Sequence, residues 1–142
     1  PSGTPGEDSS ISTFTITADP VFSESIPLVA GIYDDSDGRL IRVGNWITQE
    51  MVEDAYLKTL LLSSMPGNYV AFSFVGRKIT LGYQSGEGGG TMTVNLDGLK
   101  FDLELSVGNA WFSGELSSGT HYMILTHQGG AFVNLDYVEI SN

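Results

Sequence analysis

Between Tyr69 and Gly98, apolar and polar side chains alternate along three consecutive runs. Val70, Phe72 and Phe74 alternate with Ala71 and Ser73, Ile79 and Leu81 with Thr80, and Met92, Val94 and Leu96 with Thr93 and Asn95. Successive side chains of an extended chain point to opposite faces, so period two marks three half-buried strands. Gly76-Arg77 is short enough to join the first two as a hairpin, and Gln84 to Gly90, with four glycines in seven residues, reads as a longer, pliable loop. These strands form the middle of an antiparallel sandwich.

The same reading extends outward. Residues 1–10, PSGTPGEDSS, offer nothing to bury and read as a linker or arm, which a neighbouring subunit or the domain surface would have to hold. Ile11 to Thr17 suits a first strand, ended by Asp19-Pro20, and Val21 to Gly31 a connection. Tyr33 to Gly38 is an acidic turn, and Leu40 to Val43 a short strand before Trp46, which is assigned to the core. Thr48 to Leu57 carries Met51, Val52, Ala55 and Tyr56 at helical spacing and predicts one short helical turn. Strands follow at Thr59 to Ser63, Phe101 to Leu105, Trp111 to Leu116, His121 to Thr126 and Phe132 to Ile140, for nine or ten in all. The expected architecture is all-β, an antiparallel β-sandwich occupying residues 11–142 as a single domain.

Composition narrows the function. At 142 residues and 41% hydrophobic, the chain suits one core. A net charge of -11 repels polyphosphate, which excludes nucleic acid, and no apolar run reaches the length of a membrane span or resembles a signal peptide. The expectation is a soluble chain at an extracellular location or on a particle surface, with any export signal removed or carried on a longer precursor. The absence of cysteine removes thiol catalysis and thiolate metal sites.

Catalytic signatures fail on spacing or context. Gly82-Tyr83-Gln84-Ser85-Gly86 places its serine one position late for a nucleophile elbow, and no helix follows Gly86 to Gly90 to make a phosphate loop. His121 and His127 are six residues apart without a third ligand in step, so His121 reads as a packed strand residue. Asp102 and Glu104 alternate outward as a solvated face. The chain is read as not an enzyme.

From Gly114 onward, GELSSGTHYMILTHQGGAFVNLDYVEIS resembles the C-terminal end of carbohydrate-binding modules of families six and thirty-five. The residues that carry the likeness are Gly119-Thr120-His121 and Asn134-Leu135-Asp136-Tyr137-Val138, and upstream DDSDGRLIRVGNW resembles the corresponding stretch of related jelly rolls. The likeness spans roughly three quarters of the chain. It implies a galactose-binding-like jelly roll with a sugar site of loop aromatics at one end. Trp111 lies where those modules carry a stacking Trp, Asn134 matches their terminal Asn, and Gln128, Tyr33 and Tyr83 are further candidates, with burial in the core the alternative for Trp111 and Tyr83. Those modules also hold a structural calcium ion against the Asp that Asp136 matches. Their first-strand Glu ligands are missing from ISTFTIT, for which Asp19 and Glu24 could substitute. Asp35 and Asp37 lie in an acidic turn resembling half of a calcium loop, a plain solvated turn being the alternative.

Two functions follow from different classes. One is a non-catalytic module tethering its parent protein or particle to polysaccharide; the other is a structural subunit, such as a virion decoration protein or a cell-surface layer component, acting through protein contacts. The exposure of Trp111 separates them.

Overall fold

The computed structural model describes residues 26–142, so the arm, the strand expected at Ile11 to Thr17, Asp19 and Glu24 lie outside the described residues. Within them the strands are β1 (Gly31–Asp34), β2 (Ile41–Val43), β3 (Trp46–Gln49), β4 (Leu60–Ser63), β5 (Tyr69–Val75), β6 (Lys78–Gly82), β7 (Thr91–Leu96), β8 (Leu99–Glu104), β9 (Ala110–Phe112), β10 (Thr120–Gly129), β11 (Val133–Leu135) and β12 (Tyr137–Ser141). They form a five-stranded sheet in the order β2-β5-β10-β7-β8, a four-stranded sheet β1-β12-β6-β9 and a three-stranded sheet β11-β4-β3. Every strand pair is antiparallel. This is the all-β antiparallel sandwich that the alternation predicts.

The core follows from period two on the longest strands. β10 turns His121, Met123, Leu125 and His127 inward, between Phe72 and Phe74 of β5 and Met92, Val94 and Leu96 of β7. Ile79, Leu81, Val138 and Ile140 from the four-stranded sheet complete the same cluster. Each fully buried Leu, Ile or Phe contributes roughly 1.5–3 kcal/mol by leaving water. Ala71 and Ser73 of β5 are buried too, so this strand is not half-buried. Their larger cross-strand neighbours, Ile41 and Ile124 beside Ala71 and Tyr122 beside Ser73, overhang them.

Several boundaries differ from the expectation. Gly76-Arg77 makes no hairpin: β5 pairs with β2 and β10 and β6 with β12 and β9, so the turn carries the chain from one sheet to the other. β1 was read as connection and turn. The helical spacing over residues 48–57 belongs to the end of β3, a loop and a single 3-10 turn at Tyr56–Lys58. Met51 and Leu57 are exposed and adopt positive φ of 61° and 52°, which an α-helix forbids. β9 stops at Phe112 instead of running to Leu116. The stretch from Phe132 to Ile140 is two strands in different sheets, broken at Asp136. Trp46 is only half-buried at the core margin, its Nε1 donating to the carbonyls of Val43 (3.2 Å) and Tyr69 (3.1 Å).

The Gln84 to Gly90 loop is packed, not pliable. A side chain at Gly89 would overlap the Leu105 carbonyl and one at Gly90 the Gly129 carbonyl, so these glycines let backbones meet.

Candidate functional site

At one end of the sandwich, the loops after β3, β6, β8 and β10 enclose two adjoining hollows of about 300 and 360 Å³ that share Gln84 and Ser85. Phe132, Asn134, Leu60 and Gln49 line the first, and Tyr83, Tyr137, Asn109 and Asp54 the second. Cavities of about 300–1,000 Å³ with apolar walls and a few polar groups are typical of small-ligand sites. Among the described residues, no hydrogen bond occupies the side chains of Gln49, Gln84 or Asn109. The hollows therefore offer two half-buried rings, Phe132 and Tyr137, with uncommitted amides around them.

Three of the expected residues meet at this end. Asn134, 2% exposed, accepts from the Gln84 N–H through Oδ1 and donates to the Gln84 carbonyl through Nδ2, both at 2.8 Å. It fixes the loop that forms the cleft, spending one N–H and one acceptor site of its amide on that backbone. Tyr83 is 5% exposed and donates its hydroxyl to the Val107 carbonyl at 2.9 Å, pinning the loop after β8. Asp136 borders the second hollow.

The others lie elsewhere. Trp111 is half-buried opposite Leu81 and packs its ring on Phe101, centroids 5.6 Å apart, closing the side of the core between two edge strands. Tyr33 donates its hydroxyl to the Val29 carbonyl at 2.7 Å, and the Arg39 guanidinium covers its ring at 4.8 Å. Gln128 sits at a bulge of β10 on the outer sheet face, where Thr93 Oγ1 donates to it at 3.2 Å. Reading the sequence alone missed Phe132, Tyr137, Gln84, Gln49 and Asn109. No local pattern signals them, because they come together from segments distant in the sequence.

An acidic cluster adjoins the cleft. Asp34 and Asp35 at the end of β1 meet Asp136 through the Asp35 N–H, which donates to the Asp136 carbonyl at 3.2 Å. Thr59 Oγ1 lies 3.1 Å from Asp34 Oδ2 and 2.7 Å from Asp35 Oδ1, and Asp136 Oδ1 accepts the Tyr56 N–H at 2.8 Å. Asp35 is wholly buried, and its Oδ2 has no hydrogen-bond partner among the described residues. Burial, helped by the Asp34 charge and opposed by the Thr59 hydroxyl, raises the Asp35 pKa to about 7. Burial likewise raises Asp136 to about 6 against the Tyr56 N–H, with Asp34 adding to the rise. Asp37 stands apart, held by Arg39 at 2.8 Å, which lowers its pKa. Among the described residues no group of three or more His, Cys, Asp or Glu side chains is placed to hold a metal ion. The orphaned oxygen and the all-oxygen donor set nevertheless fit a hard cation that takes its remaining ligands from elsewhere.

The histidines do structural work. Ser63 Oγ lies 2.8 Å from His127 Nδ1, but both residues are buried, Asn68 donates to the same hydroxyl and His127 Nε2 faces the Gly130 carbonyl. The pair is a packed network without access for a substrate. His121 places Nδ1 2.6 Å from Asp97 Oδ2 and Nε2 2.8 Å from the Ser117 carbonyl. Only the doubly protonated ring donates to both. Burial lowers its pKa, yet the Asp97 and Ser117 hydrogen bonds outweigh that, and the net shift is upward from 6.5. The folded state thus holds this proton more tightly than the unfolded chain does. Its stabilisation is complete below pH 6.5 and fades as pH rises through the folded value. We expect the stability gap between the wild type and His121→Gln, from urea midpoints, to narrow between pH 6 and 9; a constant gap would refute the charged clasp.

Comparison with solved structures identifies the architecture. The chain superposes with a TM-score of 0.61 on a family 35 carbohydrate-binding module from an environmental isolate, at 11% identity over 79% of this chain and 93% of that one. It superposes at 0.60 on the native family 35 module from Clostridium thermocellum, at 15% identity over 79% and 98%. A family two carbohydrate esterase from Cellvibrio japonicus matches at 0.63 and 18% identity over 79% of this chain, which spans only 33% of the esterase. No protein-family model matches the sequence, and no curated protein does. The fold is the galactose-binding-like jelly roll of those modules.

Proposed function

We propose that this chain is a non-catalytic glycan-binding module that uses the loop-end cleft to hold its parent protein on extracellular polysaccharide. The observation that carries the reading is the pairing of half-buried Phe132 and Tyr137 rings with the unoccupied amides of Gln49, Gln84 and Asn109. Sugars present C–H faces edged by hydroxyls, so a ring stacks on the face while amides take the edge. The jelly roll shared with two carbohydrate-binding modules supports this. Among the described residues no helix is long and apolar enough to cross a membrane.

Calorimetry against a panel of soluble polysaccharides tests the proposal. A saturable signal should weaken about tenfold in Phe132→Ala, the stacking of one ring being worth roughly 0.5–1.5 kcal/mol beyond its buried area. Trp111→Ala should leave affinity within twofold if the fold is kept. Affinity that follows Trp111 instead, or no binding to any glycan, would overturn the assignment.

The same proposal includes a calcium ion at the acidic cluster, for which the unpartnered Asp35 Oδ2 and the neighbouring Asp136 would supply part of the oxygen ligands. Asp136 touches both the cluster and the cleft, and Tyr137 follows it directly, so the ion would brace the wall of the sugar site. Calcium would neutralise clustered carboxylates; the protein's part is to bring the Asp34-Asp35 turn beside Asp136, about a hundred residues further on.

A further inference from the structure

We propose that the free edge of β8 pairs with the same edge of a second copy of this chain, joining their five-stranded sheets into one continuous sheet. β8 ends the order β2-β5-β10-β7-β8, and at six residues it is the longest strand that ends a sheet among the described residues. Its pairing with β7 runs from Leu99 to Glu104 without a shift of register, and it contains no proline. Short length, proline and bulges are common guards of a sheet edge, and β8 has none of them.

The register shows which groups face outward. Asp97 and Gly98 make a two-residue turn with φ of 53° and 92°, the type I′ geometry, so Leu96 and Leu99 on either side are a hydrogen-bonded pair. In step with this alternation, the next N–H along, that of Asp97, donates away from β8 to the Tyr122 carbonyl of β10. On β8, Leu99, Phe101 and Leu103 therefore turn their backbone groups to β7, while Lys100, Asp102 and Glu104 turn theirs to the open edge. No backbone hydrogen bond among the described residues reaches those three. Beside the open edge, Leu99 and Phe101 leave apolar area in water, being 67% and 42% exposed.

Charge selects the occupant and its register. An antiparallel partner sets outward-facing residues opposite one another, and each such pair exchanges two N–H···O bonds. With the two-fold axis at Phe101, Lys100 lies opposite Asp102 of the second copy and Asp102 opposite its Lys100. Moving the axis by one residue faces two lysines or two aspartates instead. Opposite charges across a strand pair stabilise it and like charges destabilise it, so this edge fits itself in one register. Neither Lys100 nor Asp102 has an ion pair among the described residues. The same register brings the two Phe101 rings together at a position where Cα atoms approach to about 4.5 Å, and it sets Leu99 against Leu103. The net charge of -11 opposes association, and salt screens that repulsion beyond about 8 Å while leaving the paired edge in contact. A two-fold contact of this kind closes at two copies. It also reverses strand direction, so the loop-end clefts of the pair point opposite ways; if they bind glycan as proposed, the dimer bridges two polysaccharide chains.

Sedimentation equilibrium of the full chain over a wide concentration range, in salt of about 0.15 M, tests this. The wild type should pass from monomer to dimer as concentration rises and go no further. Lys100→Asp alone opposes carboxylates and Asp102→Lys alone opposes ammonium groups. Each should weaken the dimer about tenfold or more, with circular dichroism unchanged because both side chains are exposed. Mixed in equal amounts, the two variants oppose only unlike charges and should associate as the wild type does. A wild type that stays monomeric would overturn the proposal. So would a dimer indifferent to both charge reversals, a mixture that fails to recover, or a chain that dimerises only after removal of residues 1–25, whose own segment would then be the occupant of the edge.

Discussion

Stripping divalent cations with a chelator should lower the thermal unfolding midpoint by roughly 10 °C, and millimolar calcium should restore it. An ion present at a hundred times its Kd stabilises the folded state by about 2.7 kcal/mol, and each kcal/mol moves the midpoint of a domain this size by roughly 3–6 °C. The reason to expect binding is the wholly buried Asp35, whose Oδ2 has no partner, beside the carboxylates of Asp34 and Asp136. Ionising a buried carboxylate that has one oxygen unpaired is costly, and a divalent ion would convert that cost into attraction. Asp35→Asn separates this from ordinary packing. It should abolish the calcium response, and in chelator it should be at least as stable as the wild type, because it removes an uncompensated charge. A wild-type midpoint indifferent to chelator and calcium alike would eliminate the ion.

Gly90→Ala should be strongly damaging, costing about 3 kcal/mol or more in urea denaturation. Overpacking of interiors typically costs about 1–3 kcal/mol, and the upper end applies where the obstacle is backbone that cannot rotate away. The added carbon would overlap the Gly129 carbonyl oxygen and approach the Phe132 carbonyl to 3.0 Å, while the Gly90 N–H must still donate to Phe132 at 2.7 Å. Phe132 would move with its backbone, so sugar affinity should fall as well. Gly86→Ala is the control. Its nearest neighbour would be the Phe132 ring at 3.7 Å, an ordinary contact, and the change should be within about 0.5 kcal/mol of neutral. Equal effects at both positions would mean that close backbone approach is not what these glycines provide.

The contrast between those two glycines shows what the sequence could and could not reveal. Alternation along β5, β7 and β10 is a local property of the chain, so strand identity and core faces were readable from residue order. Which strands pair is not local: Gly76-Arg77 looks like a hairpin turn, and only the competing partners β10 and β12 send its two strands into different sheets. Glycine runs look alike whether they permit motion or close contact. The site divided in the same way. Asn134 and Asp136 match residues of known modules, and Tyr83 stands beside a loop; all three lie at the loop end, yet Asn134 and Tyr83 hydrogen-bond the backbone at Gln84 and Val107. Trp111 matches the position of a stacking Trp in those modules, with packing as the alternative, and the ring of Phe101 opposite it gives it the packing role. Gln49 and Phe132 come together from positions 83 residues apart, which no local pattern signals.

The position of β12 affects how the protein is made. This strand lies between β1 and β6, pairing Gly31 with Ile140 and Gly82 with Tyr137, although nearly the whole described chain is synthesised before it. On the ribosome, the edges of β1 and β6 that β12 joins therefore lack that partner until residues 137–141 emerge, although β6 can already pair with β9. Pairings this distant in sequence order slowly. The nascent chain passes through a stage in which Ile79 and Leu81 have left the ribosome but are not yet covered, and a chaperone that holds apolar strands would meet it there.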